Sequence, residues 1–407
     1  MTLQFGRPMV AIPGPSIVPD RVLNAMHRPM ANIYDGELVE MTNRLKQELP
    51  AIARTTADVF LTISNGHGAW EMAITNTLSR GDKVLVLESG HFAPAWGALA
   101  TTAGVDVEIL PGSLDRPVDP AAVEARLRED VDHELRAVLV VQVDTGTTVR
   151  NDIAAIRSAI DAADHPALFM VDCIASLGCV RYEMDAWGVD VTVAATQKGL
   201  MVPPGMAFVW ANGKALAAYE TSDLHTGYWD WGPRLDKEAP HYYQYAGTPP
   251  VSHIYGMIEA LDMLAEEGLE NVWRRHDVLA RSVHAAVDAW STPDGLSLNV
   301  GDPDARAATV TTVLTGSIDG ERLRAICESR MGLTLGIPFG AFDGRAFRIG
   351  HMGHLNPPML LGTLGSIEAG LQAMDAPLAG SGVAAAAGVI AEAKRRLRLI
   401  DDVPEDS

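Results

Sequence analysis

Through the first half of the chain, short runs of apolar and β-branched residues alternate with segments in which apolar positions recur every three to four residues. Runs of the first kind read as strands buried on both faces, and segments of the second kind as amphipathic helices. Their alternation predicts an α/β fold with a mainly parallel sheet between two helical layers. The strand positions fall at 59–63, 83–87, 105–110, 137–143, 167–171, 189–194 and 206–210, which makes a seven-stranded sheet. Helices are predicted between them at 71–78, 121–128 and 153–163.

From 219 to 250 the periodicity stops and aromatic residues crowd together: Tyr228, Trp229, Trp231, Tyr242, Tyr243 and Tyr245. An irregular segment of that length serves a site or an interface. Long helical patterns follow at 251–267 and 269–290, then a strand at 308–314, a helix at 320–330, a strand ending at 348 and a helix at 357–374. The expected organisation is an N-terminal segment, 1–35, lining the active site and interface, a large domain, 36–264, and a smaller C-terminal α+β domain, 265–376. An Ala/Gly-rich and charged tail, 377–407, is expected to form at most a surface helix with a frayed end.

Composition narrows the class. Charged residues make up 21% and apolar residues 47% of 407, as in a soluble globular protein and unlike a disordered or membrane chain. Lys and Arg number 32 against 52 Asp and Glu, a formal charge of −20, which argues against nucleic-acid or membrane partners because these need a basic face. Three cysteines, Cys173, Cys179 and Cys327, fit neither a disulfide framework nor a zinc cluster, and no other metal site is expected. With no secretory pattern at the start, a cytoplasmic location is expected.

Three features carry chemistry. In Ser64-Asn65-Gly66-His67-Gly68 a glycine-bearing turn follows a strand and opens a helix, so its N–H groups converge where a phosphate could sit, although such turns also serve plain packing. Asp172 ends a buried strand at the edge where open α/β sheets bind ligands; unless it caps a helix it needs a cationic partner, and a protonated pyridine nitrogen would serve. Lys198, in Thr196-Gln197-Lys198-Gly199, lies between a buried strand and the Val202-Pro203-Pro204-Gly205 turn. Most lysines are solvated, but a desolvated one with a lowered pKa is the residue type that forms Schiff bases.

Asp172-Cys173-Ile174-Ala175-Ser176-Leu177-Gly178, Ala195-Thr196-Gln197-Lys198-Gly199 and Pro203-Pro204-Gly205, in that order and spacing, resemble the class V aminotransferases, pyridoxal-phosphate enzymes of fold type I. The alanine/serine/aspartate:glyoxylate group is the nearest match. Ile12-Pro13-Gly14-Pro15-Ser16, Ser64 to Glu71, Thr248-Pro249-Pro250-Val251 and Phe347-Arg348-Ile349-Gly350-His351-Met352-Gly353 agree, and the likeness covers residues 8 to 375.

The resemblance implies that Lys198 is catalytic, linking covalently to pyridoxal 5'-phosphate and moving the substrate proton, and that Asp172 bonds the pyridine nitrogen. Phe92 would stack on the ring, Thr145 would reach the cofactor oxygen, and Gly66, His67 and Gln197 would hold the phosphate. Tyr245 and Thr248 would reach over from a second subunit, so a homodimer or higher homo-oligomer is implied. Arg348 would clamp the substrate carboxylate. The implied reaction is a ping-pong transfer of an amino group from serine, alanine or aspartate to a 2-oxo acid, with glyoxylate favoured.

This chain also departs from its relatives. Their Glu-Ser/Thr-x-Thr-Gly element reads Asp144-Thr145-Gly146-Thr147-Thr148, Asn65 stands where they have Ser or Thr, and Asn32-Ile33-Tyr34-Asp35-Gly36 follows no usual type. Tyr34-Asp35 and the 348–353 stretch also resemble pyridoxamine:pyruvate aminotransferase, which uses free pyridoxal as a substrate and is the alternative reading. Cysteine desulfuration would need a mobile cysteine, whereas Cys327 sits in a helical pattern as a small core residue.

Overall fold

The computed structural model describes residues 3–401. A short strand, β1 (Met9–Ala11), precedes the large sheet of β2 (Asp58–Thr62), β3 (Lys83–Leu87), β4 (Asp106–Leu110), β5 (Leu135–Val141), β6 (Leu168–Asp172), β7 (Val191–Ala195) and β8 (Ala207–Ala211). Its seven strands lie in the order β2-β8-β7-β6-β5-β3-β4. Only β8 runs against the rest, antiparallel to both β2 and β7. All seven coincide with the runs read from the sequence; both faces are covered along most of each strand except β4, the half-exposed edge strand. Val138 and Val140 of β5 enter one core, closed by Glu37–Ile52, Ile153–Ala162 and Val251–Glu267. Ala137, Leu139 and Val141 enter the other, closed by Gly66–Thr77 and Phe92–Ala103. Each fully buried side chain of this kind contributes about 1.5–3 kcal/mol.

The helix expected at 71–78 begins earlier, at Gly66. Apolar periodicity misses its first turn because that turn holds Gly66 and Gly68, which propensity disfavours, while Asn65 starts the helix by accepting the His67 N–H through its side chain at 3.0 Å. The irregular segment after Tyr219 is fixed by Asn76, whose amide donates to the Trp229 carbonyl at 3.0 Å and accepts from Trp231 N–H at 2.9 Å. Trp231 then stacks on Phe60 with ring centroids 4.5 Å apart.

Gly268, at φ +80°, separates Val251–Glu267 from Leu269–Trp290. Beyond them β9 (Ser297–Leu298), β10 (Val310–Leu314), β11 (Leu333–Leu335) and β12 (Ala346–Gly350) follow. An antiparallel sheet has the order β12-β10-β9, while β11 pairs in parallel with β1, Met9 opposite Leu333. The N-terminal segment is thus stitched to the C-terminal part of the chain. At Gly350 it passes so close that a Cβ would lie 2.1 Å from the Ile12 carbonyl oxygen.

In the tail, helix Gly382–Asp401 is docked: Ala386 is buried, and Glu368 accepts from Trp290 Nε1 at 2.8 Å, Ser381 Oγ at 2.9 Å and Val383 N at 3.1 Å. Apart from Asp401, the frayed end expected there lies outside the described residues. No described helix is long and apolar enough to cross a membrane.

Candidate active site

Strand ends bring the predicted residues together. Gly66 and His67 follow β2, Phe92 follows β3, Thr145 follows β5, Asp172 ends β6, and Gln197 and Lys198 follow β7, all at the C-terminal edge of parallel strands. These residues, with Gly14, Pro15, Trp70 and Ile174, line one cavity of about 240 Å³.

Asp172 is 3% exposed. Its Oδ1 accepts the Ile174 N–H at 2.6 Å and its Oδ2 the Trp70 indole N–H at 2.9 Å. Burial pushes its carboxyl up to about 7, against the pull of those two hydrogen bonds and of the Lys198 charge. A cationic ring nitrogen in the cavity would bring it back down, since an opposite charge favours the ionised form. Burial also lowers the Lys198 ammonium to about 8, with the Arg348 charge adding to the fall and Asp172 opposing it. An amine in that range spends part of its time unprotonated near neutrality, as a nucleophile and proton carrier must.

Pro13 holds the Lys198 side chain through its carbonyl, which accepts from Nζ, and Ser16 Oγ donates to the Lys198 carbonyl at 2.7 Å. Gly14, at φ +127°, passes over the lysine, and a Cβ there would lie 2.5 Å from Nζ.

At the other end of the cavity stands the N-terminus of Gly66–Thr77, whose dipole favours an anion. Gly66 has no space for a side chain, because a Cβ would lie 2.2 Å from Ile174 Cδ1. His67 stands exposed beside it, its imidazole held below the usual range by desolvation and by His91. Gln197 Oε1 is buried with no partner in the protein although Gln197 lines the cavity. A buried polar atom left so is completed by a ligand or water. A carboxylate for a pyridinium, a lysine for an aldehyde, an aromatic ring and a helix N-terminus for a phosphate together fit pyridoxal 5'-phosphate.

Arg348 adjoins the cavity from β12 and is 4% exposed. Its Nε donates to the Ile337 carbonyl at 2.5 Å and its Nη1 to the Thr145 carbonyl at 2.7 Å, while Phe339 covers one face at 4.1 Å. These contacts fix the fork and leave Nη2 for a carboxylate. Burial lowers its guanidinium to about 10, still charged at neutral pH.

Tyr245 and Thr248 do not join this chain's cavity. Thr248 is exposed. Tyr245 is 1% exposed, and its hydroxyl is hydrogen-bonded to Thr42 Oγ1 at 3.0 Å, so it serves its own subunit's core as it stands. Conversely, three contributors to the site were not singled out from sequence: Trp70, the bond of Pro13 to Lys198, and Phe339. Trp70 and Pro13 stand inside motifs that mark the region, but no local pattern states which atoms they meet.

Known proteins resemble the chain along most of its length. The aminotransferase class-V family matches residues 13–336. The chain is 38% identical to serine–glyoxylate aminotransferase of Methylorubrum extorquens, over 96% of this chain and 98% of that one. It is 37% identical to L-aspartate–glyoxylate aminotransferase of Paracoccus denitrificans, over 93% and 94%. The structure of pyridoxamine–pyruvate aminotransferase from Mesorhizobium loti superposes with a TM-score of 0.86 at 26% identity, covering 96% of this chain and 100% of that one. With a lysine and an aspartate facing one cavity at the sheet edge, and this likeness along nearly its whole length, the chain belongs to the class-V aminotransferases.

Proposed function

We propose that this aminotransferase holds pyridoxal 5'-phosphate in the 240 Å³ cavity and moves an amino group from serine, alanine or aspartate to glyoxylate, by a ping-pong mechanism. The observation that carries the reading is buried Asp172 and half-buried Lys198 lining one cavity with the Gly66 helix N-terminus. The relatives named above, at 37% and 38% identity, are glyoxylate aminotransferases, whereas the pyridoxamine–pyruvate enzyme stands at 26%, and the reading follows the former.

When bound, the cofactor supplies an electron sink that stabilises negative charge at the substrate Cα. Asp172 would hold the ring nitrogen, Phe92 would cover the ring, Thr145 would meet the ring oxygen, and Gly66, His67 and Gln197 would hold the phosphate. Arg348 orients the substrate carboxylate through its unspent Nη2. Lys198 Nζ anchors the cofactor, then takes the proton from the donor Cα and holds it for return. The apolar wall of Trp70, Val141, Val143 and Ile174 limits water at that transfer. A homodimer would place exposed Thr248 of one protomer at its partner's phosphate site, with Tyr245, packed on Thr42, supporting the turn that presents it. A cytoplasmic setting is supported by three buried cysteines, all free.

The test is the visible spectrum of the purified protein before and after single amino acids, then after glyoxylate or pyruvate. A bound chromophore that bleaches with one donor and returns with glyoxylate is expected. Lys198→Ala should abolish turnover. A colourless wild-type protein inert until pyridoxamine is added would move the assignment to the pyridoxamine:pyruvate reaction.

A further inference from the structure

Asp144 is a buried carboxylate outside the lining of the cavity, 0% exposed. Backbone N–H groups of two separate segments fill its oxygens. Oδ2 accepts from Phe92 N at 2.8 Å, in the first turn of Phe92–Ala103, while Oδ1 accepts from Gly146 N at 2.8 Å and Thr147 N at 3.0 Å. The fit is tight: a Cβ at Gly90 would lie 2.3 Å from Asp144 Cγ.

The turn so held reaches further. Its Thr145 carbonyl accepts from Arg348 Nη1 at 2.7 Å, and its Gly146 carbonyl accepts from Thr312 Oγ1 at 2.8 Å. Thr312 is the register partner of Arg348 across β10 and β12. One carboxylate therefore fixes the helix start that carries Phe92 against the turn that steers Arg348.

We propose that Asp144 is a positioning residue that sets the distance between the group covering the cofactor ring, Phe92, and the group binding the substrate carboxylate, Arg348. It touches neither ligand and acts through the Phe92 amide and the Thr145 carbonyl. A misplaced Arg348 meets the substrate carboxylate out of line, which weakens the binding of amino donor and oxo acid alike, by about the worth of one charge-assisted hydrogen bond at most. The inference rests on the pyridoxal-phosphate reading given above.

The test is Asp144→Asn, which turns either an amide N–H or a poorer acceptor toward one of the two segments, compared with wild type in three measurements. KM for both amino donor and oxo acid should rise about tenfold while kcat changes less than about threefold, and the visible maximum of the bound cofactor should shift. In the cofactor-free protein, amide exchange should quicken not only at Phe92, Gly146 and Thr147 but also at Gly336 and Arg348, which Asp144 does not touch. Gly90→Ala, which presses a methyl against the carboxylate without changing charge, should shift the same spectrum if Asp144→Asn fails to fold. A lower melting temperature with KM, spectrum and the exchange at Gly336 and Arg348 all unchanged would overturn the proposal. A wild-type protein without chromophore or turnover would overturn the cofactor reading instead, and the exchange measurement would still decide the role of Asp144.

Discussion

Gly14 and Lys198 are in contact across the top of the cavity: a Cβ at position 14 would lie 2.5 Å from both Lys198 Cε and Nζ. The backbone at Gly14, φ +127°, is also one that L side chains rarely adopt. Gly14→Ala should therefore strain the chain by about 1–3 kcal/mol and displace the one amine the reaction needs. We expect turnover to fall about a hundredfold or more, with the fold kept, measured as kcat beside far-ultraviolet circular dichroism. Activity near wild type would remove the N-terminal segment from the site.

Trp70→Phe removes the indole donor from Asp172 Oδ2 and keeps an aromatic wall. A hydrogen bond to a charged group is worth about 1.5–3 kcal/mol, and this one stabilises only the ionised carboxylate. Because burial puts the Asp172 carboxyl near 7, the loss should be felt above that pH and little below it. In the cofactor-free protein the destabilisation by Trp70→Phe should grow between pH 5 and pH 8, read from denaturant midpoints. Cofactor retention, measured by dialysis, should weaken about tenfold.

Arg348→Lys replaces a fork by a point charge. The arginine donates to the Ile337 and Thr145 carbonyls and still has Nη2 to offer; a lysine ammonium cannot reach both carbonyls and still present a donor to a carboxylate. KM for amino donor and oxo acid should both rise by roughly ten- to hundredfold, the equivalent of one charge-assisted hydrogen bond. Unaltered steady-state constants would separate Arg348 from substrate.

Much of this was legible in the chain. Six of the seven large-sheet strands are mainly apolar runs because both faces are buried, the edge strand Asp106–Leu110 being half-exposed, and Asp172 and Lys198 lie at or just past the ends of two of them. What escaped were contacts set by the third dimension. Pro13 and Lys198 are 185 residues apart, and nothing near either announces the other. Asp144 was visible as an acidic position kept in a familiar element, but its two-sided grip depends on Phe92 arriving from another βα unit. Tyr245, whose role at a partner's phosphate is implied by the family resemblance alone, has its hydroxyl hydrogen-bonded to Thr42 within its own subunit, a contact no local pattern announces.

Three buried histidines make the protein sensitive to acid. His276 accepts the Gly353 N–H at Nε2, 3.0 Å away, and lies 2.7 Å from the Val272 carbonyl through Nδ1, an arrangement that requires the neutral ring. Burial lowers it and His284 to about 3, and His351 to about 4. An unfolded histidine titrates near 6.5, so the folded chain binds fewer protons below that pH. Stability from these groups is complete above about pH 6.5 and is lost as the pH falls toward 4, by on the order of a few kcal/mol for each. Denaturant midpoints should drop steeply across that window. His276→Gln should be less stable at pH 7 yet show a shallower acid slope.

Thr148 stands where relatives carry the glycine of this turn, and its φ is +65°. A β-branched side chain in the left-handed region costs roughly 1–2 kcal/mol, more than the entropy a glycine would lose on folding. What holds it there is the turn itself: Thr148 N donates to the Asp144 carbonyl at 2.7 Å, and Ala307 N donates to the Thr148 carbonyl at 3.0 Å. Neither bond needs the threonine side chain, whose Oγ1 accepts only a long contact from Thr312 N at 3.4 Å. Thr148→Gly should therefore stabilise the protein by about 0.5–1 kcal/mol, with kcat and KM unchanged, because the backbone bonds that place Thr145 survive. A loss of stability would show that the side chain packs in compensation for its strain; a changed KM would show that this turn tunes Arg348 from position 148 as well as from Asp144.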